Sequence, residues 1–255
     1  MPSAVREKMR FLCLPGAYGS AKDYWADILQ EPFCQQLTAD DSAEFFFTQG
    51  QIECPPPVGF EDYFGPKPLY KFFDYDGIQK NNVLERVRDF PEGETPEDVL
   101  RELMPQGDSS IRQNISNALS AIYRTMDEHG PFDGICAYSE GTVAAGCLIM
   151  EEAKLFASEG RPRRIKRAVF FAGWPPLDSD SNTMVLVDNT DDVIDIPTLH
   201  CVGADDPYLA GAMALFNVCD QDNAILFDHG KGHTIPRDKK TLKELGDAVR
   251  VLAEL

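Results

Sequence analysis

The chain has 255 residues, 43% of them apolar, with 24 basic against 42 acidic side chains and a formal charge of −18. A surface this acidic repels phosphate backbones and anionic lipid, so neither nucleic acid nor a membrane face is an expected partner. The length suits one large domain, and neither an internal repeat nor a linker marks a second, so a single domain over 1–255 is expected.

The opening "MPSAVREKMR" is charged and has no apolar core, so no secretory signal is read there. No apolar run approaches the ~18 residues of a membrane span. The seven cysteines are odd in number, form no C-x-x-C pair and lie mostly in apolar stretches such as "FLCLPG" and "LHCVG". Free buried thiols in the reducing cytoplasm are expected rather than disulfides.

Along the chain, Phe11 to Leu14 form an apolar run ended by Pro-Gly, which reads as a buried parallel strand and a tight turn. Ser20 is positioned to cap a helix carrying Tyr24, Trp25, Ile28 and Leu29 at helical spacing. "SAEFFFTQG" reads as a second strand. Residues 51–108 differ: they are rich in Pro, Gly and aromatics and carry no steady period, with one short helix after Thr95. A stretch of this length is expected to be a lid or pocket-forming insertion, and its aromatic density argues against disorder.

Regularity returns at "SSIRQNISNALSAIYRTMDEHG", where Ile111, Ile115, Leu119, Ile122 and Met126 repeat at helix spacing and Gly130 stops the helix. "FDGICAY" is a strand, "EGTVAAGCLIMEEAKLFASEG" a helix with small residues in its first turns, and "IKRAVFFAG" a strand ended by "WPP". Residues 178–195 are polar and acidic, a loop or second lid piece. "IPTLHCVG" and "NAILFDHG" are strands, and "TLKELGDAVRVLAEL" the closing helix. Strands alternating with helices predict a mostly parallel α/β sheet flanked by helices.

The stretch "GICAYSEGTVAAG" is a strand, a serine and a helix of small residues, the context of a nucleophile elbow. Ala137 and Gly141 flank Ser139 as A-x-S-x-G, small enough for a sharp turn, and the Glu140 amide at the helix start suits an oxyanion. A serine hydroxyl needs an imidazole to take its proton and a carboxylate to orient that imidazole. Both follow in order: Asp205 and Asp206 in "VGADDPYL", then His229 and His233 in "FDHGKGHTIP", each beyond a strand's end. Asp206, before Pro207, is preferred over Asp205, which is expected to face solvent. His233 is preferred over His229, which comes directly off the strand. A zinc pair from His229 and His233 is disfavoured by the glycines between them. His129 ends a helix, and His200 lies within a strand as a core residue. The loop "LPGAYGSAKDY" offers a second oxyanion donor in the Ala17 amide.

Taken together, L-P-G-x-x-x-S-A, Y-S-E-G, V-G-x-x-D-P and H-G-x-G-H-x-I-P resemble the fungal family serine hydrolases (FSH type) of the α/β-hydrolase superfamily, over roughly residues 9–250. The segment "DYFGPKPLYKFFDYDG" is similar to the family's aromatic segment near the substrate pocket. The resemblance implies an α/β-hydrolase fold with Ser139, Asp206 and His233 as nucleophile, acid and base. It also implies a carboxylesterase or thioesterase that uses no cofactor and takes part in fungal polyketide metabolism, where an acyl-carrier domain of a polyketide synthase is a candidate partner. Three positions depart from the family: Pro15 replaces a common His, Glu140 a Gln, and Lys231 a Gly.

An apolar aromatic pocket is expected from Tyr18, Tyr138, Trp174, Phe64 and Phe72, with Phe73 and Tyr208 as further candidates, and it suits a hydrophobic acyl or polyketide chain. Two other readings use the same scaffold: C–C bond hydrolysis of a β-dicarbonyl polyketide, and a catalytically weak binding protein. The basic run "RPRRIKR" reads as a solvated loop.

Overall fold

A computed structural model describes residues 8–21, 33–56, 64, 67–74, 90–103 and 110–255. The long apolar runs become strands β1 (Met9–Leu14), β2 (Ala43–Phe47), β5 (Gly134–Tyr138), β6 (Arg167–Phe171), β9 (Thr198–Val202) and β10 (Ala224–Asp228). They form one sheet in the order β10-β9-β6-β5-β1-β2, with every neighbouring pair parallel. Two short antiparallel pairs lie beside it: β3 (Ile52–Cys54) with β4 (Leu69–Lys71), and β7 (Leu177–Asp178) with β8 (Thr183–Met184).

The helices are α1 (Gln35–Thr38), α2 (Pro96–Leu103), α3 (Ser110–His129), α4 (Glu140–Glu159), α5 (Leu209–Asn217) and α6 (Lys239–Leu252). Because successive strand residues point to opposite faces, the central strands feed two cores. Leu12, Leu14, Ile135, Ala137 and Phe170 pack with residues of α2, α3, α4 and α5. Phe11, Cys13, Cys136, Phe171, Leu199 and Cys201 pack with Leu37 of α1 and with Leu242, Leu245, Val249 and Leu252 of α6. Burial on both faces is why β1, β5, β6 and β9 read as unbroken apolar runs, while the edge strands β2 and β10 are mostly half-exposed.

The five apolar residues that set the period of α3 are all buried, and Gly160, in the left-handed region at φ 68°, caps α4 by bonding back to its last turn. The expected helix after Ser20 lies outside the described residues, as does much of 51–108. The described part of that insertion is the β3–β4 hairpin, a segment around Phe90, and α2, which begins at Pro96 where a short helix was expected. The polar stretch 178–195 is not wholly irregular: it contributes all of β8 and Asp178 of β7. Six of the seven cysteines are buried and Cys54 is half-buried, all as free thiols. Among the described residues no helix is long and apolar enough to cross a membrane. Since all six strands run the same way, their carboxyl ends share one edge, and the loops after β1, β5, β9 and β10 gather there.

Candidate active site

Ser139 sits between β5 and α4 with φ 50° and ψ −121°, a backbone region that residues with a side chain rarely adopt. Such strain costs about 1–3 kcal/mol and persists only where the surroundings enforce it. Here the Ser139 amide donates to the Phe171 carbonyl at 3.0 Å, continuing the β5–β6 ladder, and the Thr142 amide donates to the Ser139 carbonyl at 3.0 Å. The Thr142 hydroxyl donates to that same carbonyl at 2.6 Å and accepts from the Trp174 amide at 2.7 Å, tying the elbow to the loop after β6. Sequence reasoning missed Thr142, although a hydroxyl one helical turn after the serine was a usable signal.

The small residue at Gly141 has a steric reason. A Cβ there would lie 2.5 Å from both the Leu14 and the Pro15 carbonyl oxygens, at the end of β1. Replacing glycine by alanine inside a helix ordinarily stabilises by about 1 kcal/mol. Overpacking against backbone that cannot rotate away costs about 3 kcal/mol, so the clash wins. Gly141→Ala is therefore expected to lower the Tm by about 5 °C and to reduce Ser139 reactivity. Differential scanning calorimetry measures the first, and an unchanged or raised Tm would show that the elbow does not press on β1.

His233 Nε2 lies 3.2 Å from Ser139 Oγ, and His233 Nδ1 lies 2.9 Å from Asp206 Oδ2. The other carboxylate oxygen of Asp206 accepts the Tyr208 amide at 2.8 Å. The Asp206 side chain is 1% exposed and that of His233 20%, so the pair is shielded on the acid's side and open on the serine's. The loops that carry them approach closely: a Cβ on Gly203 would lie 1.7 Å from the Lys231 carbonyl oxygen, so only glycine fits. Tyr138 ties the histidine loop to the elbow, donating its hydroxyl to the His233 backbone carbonyl at 3.2 Å. Tyr208 stands edge-on to the imidazole, ring centres 4.9 Å apart.

The alternatives fall elsewhere. Asp205 is exposed. His229 is half-buried, its Nδ1 accepts the Lys231 amide at 3.3 Å, and burial holds its pKa below the usual histidine range. His200 is buried between the Phe170 and Phe216 rings, bonds Thr198 Oγ1 at 3.0 Å, and is pushed by burial down to about 3. His129 ends α3 and stacks on Phe46.

The loop after β1 presses on the elbow, since a Cβ on Gly16 would be 3.1 Å from the Ser139 Cβ. Among the described residues neither the Ala17 nor the Glu140 amide donates a hydrogen bond. Two donors without acceptors beside a serine suit a developing oxyanion.

The expected aromatics divide. Tyr18, with φ 65°, packs on Phe64 at 4.9 Å between ring centres. Trp174 lies 5.8 Å from Tyr208, and Phe90 stands edge-on to both, so these three form a wall beside His233. Phe90 carried no signal in the sequence, because nothing periodic surrounds it. Phe72 corrects the expectation of a pocket side chain. At 4% exposed its ring belongs to the core, as does that of Phe73 at 1%, and Phe72 meets the site through its backbone amide instead.

Of the three departures from the family, Pro15 is buried, and Lys231 reaches out to Asp238 at 3.3 Å, away from the imidazole. Glu140 turns its carboxyl inward, and Oε2 accepts the Phe72 amide at 2.8 Å.

Residues 4–245 match the family described as "Serine hydrolase (FSH1)". The chain belongs to the FSH1 serine hydrolase family. It is 26% identical over 242 residues to "Hydrolase phiM" of Talaromyces stipitatus, covering 93% of this chain and 84% of that one. It is 25% identical over 248 residues to "Esterase FPY3" of Fusarium mangiferae, covering 94% and 95%. Among solved structures, the Bacillus cereus carboxylesterase aligns with 97% of this chain and 90% of its own at 15% identity, with a TM-score of 0.48. This FSH1-family chain has an α/β-hydrolase fold and is a serine hydrolase.

Proposed function

We propose that Ser139, His233 and Asp206 form a catalytic triad that hydrolyses an ester or thioester of a hydrophobic, polyketide-type acyl chain. The observation that carries this is the hydrogen-bonded series Ser139–His233–Asp206, at 3.2 and 2.9 Å, beside two amides without acceptors. Ser139 Oγ attacks the acyl carbonyl while His233 Nε2 takes its proton. The Ala17 and Glu140 amides hold the oxyanion. The imidazolium then protonates the departing alcohol or thiol as its bond to the acyl carbon breaks. Water repeats the sequence on the acyl-enzyme, releasing the acid and freeing Ser139. Asp206 keeps the imidazole in the tautomer with Nδ1 protonated and stabilises the imidazolium. This chemistry draws on side chains, amides and water alone.

An aromatic wall of Phe90, Trp174 and Tyr208 supports an apolar acyl chain, with Tyr18 and Phe64 as a second wall and residues 51–108 as a lid over a single domain. Trp174→Ala is expected to raise KM for p-nitrophenyl octanoate about tenfold, with the acetate ester changing less than about twofold. Equal effects on both esters would place the acyl chain elsewhere. An acyl-carrier domain is the proposed donor of a thioester substrate. The basic run 161–167 is not its dock: it precedes β6, at the sheet edge opposite the site, and Arg161, Arg163 and Arg164 already pair with Glu159, Asp195 and Asp127.

The test is labelling with a fluorophosphonate, followed by hydrolysis of p-nitrophenyl esters and acyl thioesters. Labelling confined to Ser139, with turnover of either substrate, is expected. No label and no turnover would reject a hydrolase and favour a binding protein.

A further inference from the structure

We propose that Glu140 is a positioning residue for this hydrolysis: its carboxyl pins the β3–β4 hairpin to the elbow and thereby sets the spacing of the two oxyanion amides, and loss of its proton opposes the reaction. The inference rests on the proposed triad and oxyanion hole. It begins from the connections of β4. Tyr70, in β4, forms an antiparallel bridge with Gly19, in the loop that carries Ala17. Two residues later the Phe72 amide donates to Glu140 Oε2 at 2.8 Å. A closed path therefore runs from the Ala17 loop through β4 to Glu140 itself, the residue whose own amide is the second donor.

The carboxyl is buried, and Oε1 has no hydrogen-bond partner among the described residues. An unpartnered buried oxygen is costly for a charged carboxylate and less so for a neutral acid. Burial accordingly pushes the pKa up to about 7, against the pull of the Phe72 and Phe73 amides and of Lys71. The groups facing it are Lys71 of β4, Tyr18 of the β1 loop and Cys54 of β3. Lys71 is itself paired with Asp74 at 2.8 Å, so its charge is shared. Near neutrality the residue is divided between a neutral pin and a buried anion at the first residue of α4, next in the chain to Ser139.

The test compares wild type, Glu140→Gln and Glu140→Met on p-nitrophenyl butyrate from pH 5.5 to 9. Glutamine keeps an acceptor for the Phe72 amide and removes the charge, and methionine removes both. The ratio of kcat/KM for E140Q to that for wild type is expected to rise about tenfold between pH 6 and pH 8.5. At pH 6, E140M is expected to fall about thirtyfold below E140Q in kcat with little change in KM, because the oxyanion exists only in the transition state. A pH-independent ratio, or an E140M kcat equal to that of E140Q, overturns the proposal.

Thermal unfolding reads the pin without activity. An acid whose folded pKa is raised contributes stability that is present below its unfolded value and lost as pH rises through about 7. The Tm of E140Q should thus exceed that of wild type by several degrees more at pH 8.5 than at pH 5.5, and a constant difference counts against the proposal. Should wild type hydrolyse no ester, the hydrolase reading fails and the Tm difference alone decides whether Glu140 is a buried, proton-linked pin.

Discussion

His233→Ala is expected to lower kcat/KM on a p-nitrophenyl ester by about 10⁵-fold, and Ser139→Ala by a similar amount, with the double variant no worse than either single one. The reason is that neither group works alone. The hydroxyl becomes a nucleophile only as the imidazole 3.2 Å away takes its proton. Removing either one leaves the proposed oxyanion amides of Ala17 and Glu140 and the proposed aromatic wall to bind and polarise the substrate, so activity is expected to fall to a floor rather than to nothing. Folding should survive. His233 is only partly buried, and the hydrogen bond it accepts from the Tyr138 hydroxyl at 3.2 Å uses its backbone carbonyl, which alanine retains. Circular dichroism and Tm check this. Activity within about tenfold of wild type in His233→Ala would dismiss His233 as the base and return the role to His229, whose Nδ1 would then have to release the Lys231 amide.

Much of this arrangement was legible in the sequence because it is written in local pattern. β1, β5, β6 and β9 are buried on both faces, so their apolar runs are unbroken, and α3 shows one buried stripe. The elbow was legible because its strain demands small neighbours, and the Leu14 and Pro15 carbonyls that bar a larger residue at 141 are themselves next to the Pro-Gly turn. The order serine, acid, histidine followed from parallel strands, which deliver successive loops to one edge.

What was not legible depends on contacts between distant segments. The choice between Asp205 and Asp206 rests on burial: one is exposed, the other's carboxylate is 1% exposed and shared between His233 and the Tyr208 amide. The pairing of β3 with β4 is held by Gly19 and Glu140 from outside its own sequence. Phe72 misled because an aromatic beside a proline-rich stretch looks like pocket lining, whereas its ring closes the core and only its amide reaches the site. Glu140 could be seen as an unusual residue in the motif, but the direction of its side chain, which decides its effect, is a tertiary fact.

Asp206→Asn is expected to lower kcat by about 10⁴-fold while leaving the Tm nearly unchanged, and the hydrogen bonds dictate why. The oxygen that accepts the Tyr208 amide at 2.8 Å must remain an acceptor, so the asparagine carbonyl takes that position. Its NH2 then occupies the place of Oδ2, 2.9 Å from His233 Nδ1, where it donates. Nδ1 is forced to accept, the imidazole proton moves to Nε2, and Nε2 can no longer take a proton from Ser139. The variant therefore keeps its shape and loses its base. Asp205→Asn, changing an exposed neighbour, should stay within about twofold of wild type. Parallel kcat measurements on the two variants separate adjacent carboxylates that sequence alone could only rank. Equal activity in both would mean that Asp206 does not orient the base. A large loss in Asp205→Asn instead would move the acid by one residue and require the loop after β9 to turn over.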